Sequence, residues 1–328
     1  MKGLVIKSTG SSYIVRMDDG TSVECHIKGN FRIRGIRSTN PVAVGDYVQV
    51  SLTGEAYSTA KRSCSDSGLT GEAGQPTIGW ITDVEDRKNY IIRRATNLSK
   101  ESHVLAANID QVALLVTLNH PVTSTTFIDR FLATCEAYRV PAILIFNKTD
   151  LLDKDEFFEM MLMQSEYFHL GYTVAGMCAI NGVEEEFITK YLKDKVTLLA
   201  GNSGVGKSTL LNALFGKELT RTGKISDAHD KGMHTTTFSE MYFLPQGGAV
   251  IDIPGIKGFG TVNFEREEVS HYFREIFQYS QGCKYYNCTH TNEPDCAVIK
   301  AVEEGKILMS RYESYISMLG DCDESKYR

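Results

Sequence analysis

The sequence predicts a multi-domain protein: a small β-barrel, a central α/β domain and a helical module built round a metal-binding cluster. Three observations lead there. Residues 1–96 carry short β-rich runs broken by turns, with no long helix. Residues 97–262 alternate strand-length apolar runs with helical periodicity, the pattern of a doubly wound parallel sheet. Residues 263–328 gather Cys283, Cys288, His290 and Cys296 in one short polar stretch between helical segments. A chain of 328 residues has room for two or three domains with real cores. Its 42% apolar and 23% charged residues exclude wholesale disorder.

In the first domain the β-rich runs are 4–6, 13–17, 22–27, 47–52 and 78–84, with Asp18-Asp19-Gly20 as a hairpin turn between the second and third. Five short strands suggest an OB-like barrel, a common nucleic-acid-binding architecture. Residues 54–75 are rich in Gly, Ser and Thr and read as a mobile loop. In the second domain, strands are expected at 112–118, 142–146, 172–176, 196–200 and 249–251. Helices are expected at 126–138, 155–170, 184–192 and 207–215. No apolar run approaches the ~18–20 residues of a membrane helix. Residues 1–8 lack the apolar core of a signal peptide, and eight cysteines are too few for a disulfide scaffold. A cytoplasmic protein without membrane contact is therefore expected.

The chemistry begins at Gly201-Asn202-Ser203-Gly204-Val205-Gly206-Lys207-Ser208, which fits G-x-x-x-x-G-K-[ST] between an expected strand and an expected helix. Glycines there let backbone N–H groups turn inward round phosphates at a helix N-terminus, with Thr209 on the first turn. Lys207 is placed to reach the β and γ phosphates, and the Ser208 hydroxyl to bind Mg²⁺. Asn147-Lys148-Thr149-Asp150 follows the strand 142–146, at the ligand-facing carboxyl end of the sheet. Such an N-K-x-D element reads guanine: Asp150 can accept from N1–H and the 2-amino group, a donor pair adenine lacks. Alone it is a weak match, and a polar strand-end turn is its other reading. The P-loop beside it favours guanine over the ATPase alternative.

Asp252-Ile253-Pro254-Gly255 adds a D-x-x-G element, with Asp252 toward Mg²⁺ and the Gly255 N–H toward the γ phosphate. Gly232-Met233-His234-Thr235-Thr236-Thr237 supplies a switch loop in which a threonine, Thr236 in our assignment, closes over Mg²⁺. Cys178-Ala179-Ile180 stands at a strand end where GTPases usually carry Ser-Ala-Lys. It departs from that pattern at two of three positions, leaving the Ala179 N–H for guanine O6 and the side-chain support open.

The order of these motifs is unusual. N-K-x-D and the Cys-Ala turn precede the P-loop, the threonine loop and D-x-P-G, so the G domain is circularly permuted. A barrel before it, a Cys/His cluster after it and Ala106-Ala107-Asn108-Ile109-Asp110 at the junction complete a pattern that covers essentially the whole chain. It closely resembles the RsgA (YjeQ/YloQ) family of small-ribosomal-subunit GTPases. That resemblance implies a GTPase that binds the small subunit and its rRNA late in assembly and leaves after hydrolysing GTP to GDP.

The run from Cys283 to Cys296 reads C-x₄-C-x-H-x₅-C. Three thiolates and an imidazole close a tetrahedral Zn²⁺ shell with no open position, so a structural site is expected; free core cysteines are the other reading. The resemblance strengthens zinc, because the matching family positions bind it. Cys322 lies outside the pattern. The residue after D-x-x-G is Ile256, which cannot orient an attacking water as a glutamine there would. Slow intrinsic turnover accelerated by a partner follows, with His234 the best internal substitute and a plain loop residue its other reading. The alternative function is a GTP-sensing RNA-binding scaffold with negligible hydrolysis.

Net charge is −6, which by itself argues against a polyanionic partner. The average hides local contrast: residues 1–40 carry seven Lys/Arg against three Asp/Glu. Within them Lys28, Phe31, Arg32, Arg34 and Arg37 interleave basic residues with an aromatic, the composition of an RNA-binding loop; a solvated loop is the other reading. No sequence feature calls for self-association, and a monomer is expected.

Overall fold

The computed structural model describes residues 1–27, 41–52, 78–94, 102–216, 218–219, 239–253 and 264–325. Several expectations lie outside these residues. They are the loop 54–75, the basic positions Lys28, Phe31, Arg32, Arg34 and Arg37, the switch residues His234 and Thr236, and Gly255.

The first domain is built from β1 (Lys2–Ser8), β2 (Tyr13–Met17), β3 (Ser22–Ile27), β4 (Tyr47–Leu52) and β5 (Ile78–Val84). They pair in the order β1-β2-β3-β5-β4, and β4 returns to β1 to close a five-stranded barrel. Only β3 and β5 run parallel. Strand alternation sends Tyr13, Val15, Met17, Cys25, Val48, Val50 and Ile81 into one core. Gly79 is required by that packing: a Cβ there would lie 2.7 Å from Cys25 Sγ and 2.8 Å from Val50 Cγ1. The five strands and the Asp18–Gly20 turn agree with the sequence reading.

A hairpin of β6 (Tyr90–Arg94) and β7 (Ser102–Ala107) follows the barrel strands. The joint beyond it is held by two asparagines. Asn108 accepts from Lys88 N and donates to the Gly45 carbonyl, while Asn89 exchanges two bonds with the Ile109 backbone. Those to Gly45 and Ile109 satisfy backbone groups of buried residues where the two domains meet.

The α/β domain follows: β8 (Gln111–Val116), α1 (Thr125–Ala137), β9 (Ala142–Phe146), α2 (Lys154–His169), β10 (Thr173–Gly176), α3 (Glu185–Phe187), β11 (Val196–Ala200), α4 (Lys207–Phe215), β12 (Ser239–Phe243) and β13 (Ala249–Asp252). Sheet order is β10-β9-β8-β11-β13-β12. The first five strands are parallel, and the burial of every residue of β8 and β9 explains the unbroken apolar runs of those two. Helices α1 and α2 cover one face, and α4 with the turn after α3 covers the other. Two expectations change. The helix expected at 184–192 is one α-turn followed by a π-turn over Ile188–Leu192. The sheet is also not wholly parallel, because β12 is antiparallel to β13 and then pairs with β1 of the barrel, merging both sheets. The run Ser239-Glu240-Met241-Tyr242-Phe243 lacks the unbroken apolar stretch that marks the parallel strands β8 and β9, so periodicity gave no strand there.

The C-terminal module contains α5 (Arg274–Ser280), α6 (Ala297–Glu303) and α7 (Met309–Ser325) round Val269, Phe273, Ile276, Val298, Ile307, Tyr315 and Leu319. Ala133 of α1 enters the same core. Arg311 of α7 donates to both Glu275 oxygens, at 2.6 and 3.1 Å, and to Asp129 Oδ1 of α1 at 2.7 Å. Asp129 Oδ1 also accepts the Tyr167 hydroxyl of α2 at 2.8 Å. Arg274 bonds Glu136 and the Leu170 and Gly171 carbonyls, with its guanidinium 4.0 Å from the Tyr172 ring centre. The module is therefore docked on α1 and α2. Among the described residues no helix is long and apolar enough to cross a membrane.

Candidate functional site

The carboxyl ends of β9, β10, β11 and β13 bring together motifs that are far apart in the chain. The P-loop leaves β11 and enters α4 through glycines at φ of 140° (Gly201), 82° (Gly204) and 100° (Gly206). Two of them also need close approach. A Cβ on Gly201 would lie 2.6 Å from the Leu115 carbonyl oxygen, and one on Gly206 would overlap the Asn147 amide nitrogen. Asn202 is half-buried, Ser203 and Gly204 are exposed at the mouth, and Val205 is buried beneath. Ser208 and Thr209 sit half-buried on the first turn of α4.

Lys207 folds its ammonium back across this loop, donating to the carbonyls of Gly201 at 2.7 Å and Asn202 at 2.8 Å. Burial pushes its pKa down, and the nearby Asp252 carboxylate opposes that. Asp252 ends β13 beside the P-loop strand, paired in register with Leu199. Burial pushes its carboxyl up, the Lys207 charge pulls it down and Glu240 across the β12–β13 ladder pushes it up again. A half-buried lysine and a buried carboxylate thus face the phosphate end of the site as a mutually compensating pair.

Asn147 is the keystone of the other end. Its buried amide donates to the Val205 carbonyl at 2.8 Å and accepts from the Ala179 N–H at 3.0 Å. One side chain thereby ties the P-loop, the β9 turn and the β10 turn together. The Ala179 N–H, which the sequence offered to guanine O6, is directed at Asn147. Lys148 sits in the left-handed region at φ 62° and donates its ammonium to the His120 carbonyl; burial lowers its pKa, with Asp150 opposing. Thr149 bonds the Met177 carbonyl through its hydroxyl. Asp150 is exposed and open to a base.

Cys178 settles a point that the sequence left open. Its thiol donates to Asp150 Oδ1 at 2.9 Å, and burial together with that carboxylate raises its pKa. A neutral thiol therefore holds the Asp150 carboxylate in place at the position where a serine hydroxyl is usual. Ile180, the other departure, points to solvent. The loop at His120–Pro121, which meets both Lys148 and Gly204, carries no motif and was not legible in the sequence.

In the C-terminal module the four expected ligand atoms lie within 4.8 Å of one another. Cys296 Sγ is 3.8 Å from Cys283 Sγ, 3.7 Å from Cys288 Sγ and 3.5 Å from His290 Nδ1, and Cys283 Sγ is 3.6 Å from the same nitrogen. The loop is fixed from outside by Tyr312 and Tyr315 of α7, whose hydroxyls donate to the His290 and Thr289 carbonyls. Glu293 braces it from within. Burial pushes its carboxyl up, but the Thr289 hydroxyl and backbone N–H groups hold it at about 2. This closed set of three sulfurs and one nitrogen could hold a metal ion. Cys322 is buried in the module core, apart from the cluster.

A P-loop at the central strand, an N-K-x-D turn preceding it in the chain and a D-x-P-G strand following it define a circularly permuted G domain. The chain belongs to the RsgA GTPase family: the family model described as RsgA GTPase matches residues 84–262, and that of the RsgA N-terminal domain matches residues 2–58. It is 56% identical over 328 residues to the small ribosomal subunit biogenesis GTPase RsgA of Phocaeicola vulgatus, covering 100% of this chain and 99% of that one. Crystal structures agree. YjeQ from Thermotoga maritima superposes with a TM-score of 0.69 at 32% identity, over 98% of each chain. YloQ, a circularly permuted GTPase, does so with a TM-score of 0.67 at 26% identity, over 100% of this chain and 96% of that one.

Proposed function

We propose that this GTPase binds the small ribosomal subunit and its rRNA late in assembly and leaves after hydrolysing GTP. The observation that carries this reading is the full-length likeness to relatives named small ribosomal subunit biogenesis GTPases, joined to a site in which Asn147 couples the base turn to the P-loop. In this reading residues 201–209 with the Gly255 N–H hold the phosphates, while Asn147, Lys148, Thr149, Asp150, Cys178 and Ala179 form the guanine pocket. Ser208, Thr236 and Asp252 would bind Mg²⁺, hard oxygen donors suited to that ion, which neutralises charge on the β and γ phosphates. His234 orients the attacking water, a task Ile256 cannot perform.

The cluster of Cys283, Cys288, His290 and Cys296 would hold one structural Zn²⁺. Metal–sulfur bonds of about 2.3 Å and metal–nitrogen bonds of about 2.0 Å give tetrahedral edges of about 3.8 Å and about 3.5 Å. The separations of 3.7–3.8 Å and 3.5–3.6 Å support that assignment. The barrel occupies residues 1–96, the G domain 97–262 and the zinc module 263–328, and the protein acts as a cytoplasmic monomer. Lys28, Phe31, Arg32, Arg34 and Arg37 contact rRNA.

Co-sedimentation with purified small subunits tests the reading. The chain should pellet with them when loaded with a non-hydrolysable GTP analogue and stay in the supernatant with GDP. Equal pelleting in both states, or none in either, overturns the proposal.

A further inference from the structure

Helix α2 carries an apolar face that nothing among the described residues covers. Phe157, Phe158, Met161, Leu162 and Phe168 are each between 44% and 64% exposed. At 100° per residue they form one stripe about 140° wide, along which Lys154, Ser165 and His169 are the polar positions. The opposite face, with Met160 and Tyr167, is the one buried against the domain. Five side chains of roughly 200 Å² each, about half exposed, present about 500 Å² of apolar surface. A patch of that size on a soluble fold marks an interaction site. Leu151, in the turn next to Asp150 that leads into α2, is also exposed.

What docks there is indicated by charge. Asp155, Glu159 and Glu166, all exposed, form a row along one edge of the stripe. Helix α2 carries four carboxylates against the single Lys154. Such a face repels a phosphate backbone, and antiparallel two-fold pairing with a second copy would set acidic row against acidic row. It suits a cationic amphipathic protein segment, with apolar anchors for the stripe and Lys or Arg for the row. Proteins of an rRNA-containing particle carry basic segments of this kind, because they neutralise phosphates.

We infer that the exposed face of α2 is a docking surface for a basic, apolar-anchored segment of a small-subunit protein. The G domain thus meets its partner through protein here and not through rRNA. This rests on the small-subunit reading above. The turn that holds Asp150 and Leu151 leads directly into α2, and Tyr167 on the buried face of the helix bonds Asp129, which also accepts from Arg311 of α7, so a partner seated on the exposed face touches a helix linked to both.

The test uses the full chain with purified small subunits and a non-hydrolysable GTP analogue. With p-benzoylphenylalanine in place of Phe158, irradiation should give a crosslink that survives ribonuclease and maps to a basic segment of one subunit protein. Phe158→Lys should weaken subunit binding about tenfold, by removing an anchor and repelling the basic partner, while hydrolysis by the chain alone stays unchanged. Tighter binding of Phe158→Lys, a ribonuclease-sensitive crosslink, a crosslink to a second copy, or no crosslink from a chain that co-sediments each overturns this inference alone. Failure of the unsubstituted chain to co-sediment overturns both it and the small-subunit reading.

Discussion

Replacing Asn147 isolates the contact on which the site's assembly depends. Its amide is buried, and both partner groups, the Val205 carbonyl and the Ala179 N–H, belong to buried residues. Asn147→Ala leaves one acceptor and one donor unpaired, and each unsatisfied buried group costs about 1–3 kcal/mol. Water entering the space left by the amide recovers part of that, so a loss of about 3 kcal/mol is expected for the G-domain transition. Nucleotide affinity should fall with it, because nothing else described spans the P-loop, the β9 turn and the β10 turn. Asn147→Asp is the sharper variant. Its carboxylate still accepts from Ala179 but sets a second acceptor against the Val205 carbonyl. At neutral pH it should be at least as damaging as alanine. Below the aspartate's own pKa, where the protonated carboxyl can donate again, the defect should ease. Urea denaturation followed by tyrosine fluorescence, with GDP affinity from a fluorescent analogue, reads both effects. A loss under about 1 kcal/mol for Asn147→Ala, or native behaviour of Asn147→Asp at pH 7, would refute the argument.

Three further outcomes follow from the geometry. Arg311→Met leaves Asp129 and Glu275 buried without a counter-charge and should cost about 3–5 kcal/mol, much of it recovered when Glu275→Met and Asp129→Asn are added; thermal unfolding of single and triple variants measures this. Chelation of the metal, or Cys296→Ser, should release the loop held by Tyr312 and Tyr315 and reduce the near-ultraviolet tyrosine signal while GDP binding persists; cobalt(II) added back should give thiolate charge-transfer and tetrahedral bands. Cys178→Ala removes the donor that holds Asp150 and should weaken GDP binding about fivefold, whereas Cys178→Ser should keep it near native, as competition titrations would show.

The parts legible in the sequence are those fixed by short-range pattern. Short β-rich runs broken by turns gave the five barrel strands, apolar runs alternating with helical stretches gave the parallel strands, and the G-x-x-x-x-G-K-S spacing gave the P-loop. The Cys/His spacing placed four ligands that the fold does bring together. What stayed hidden depends on partners distant in the chain. The Cys178 thiol gains its role only because the β9 and β10 turns lie side by side, and Ala179 turns its N–H to Asn147 for the same reason. The docking of the C-terminal module through Arg311 joins residues 182 positions apart, which no local signal encodes.

The central claim is that this permuted G domain is a guanine-specific hydrolase switched on by the small subunit. Multiple-turnover phosphate release from GTP, measured with the chain alone and with purified small subunits, tests it most directly. The chain alone should release phosphate slowly, with an acceleration on the order of a hundredfold or more with small subunits, none with large subunits, and no turnover when ATP replaces GTP. Equal rates with and without small subunits, or hydrolysis of ATP as fast as GTP, would contradict it.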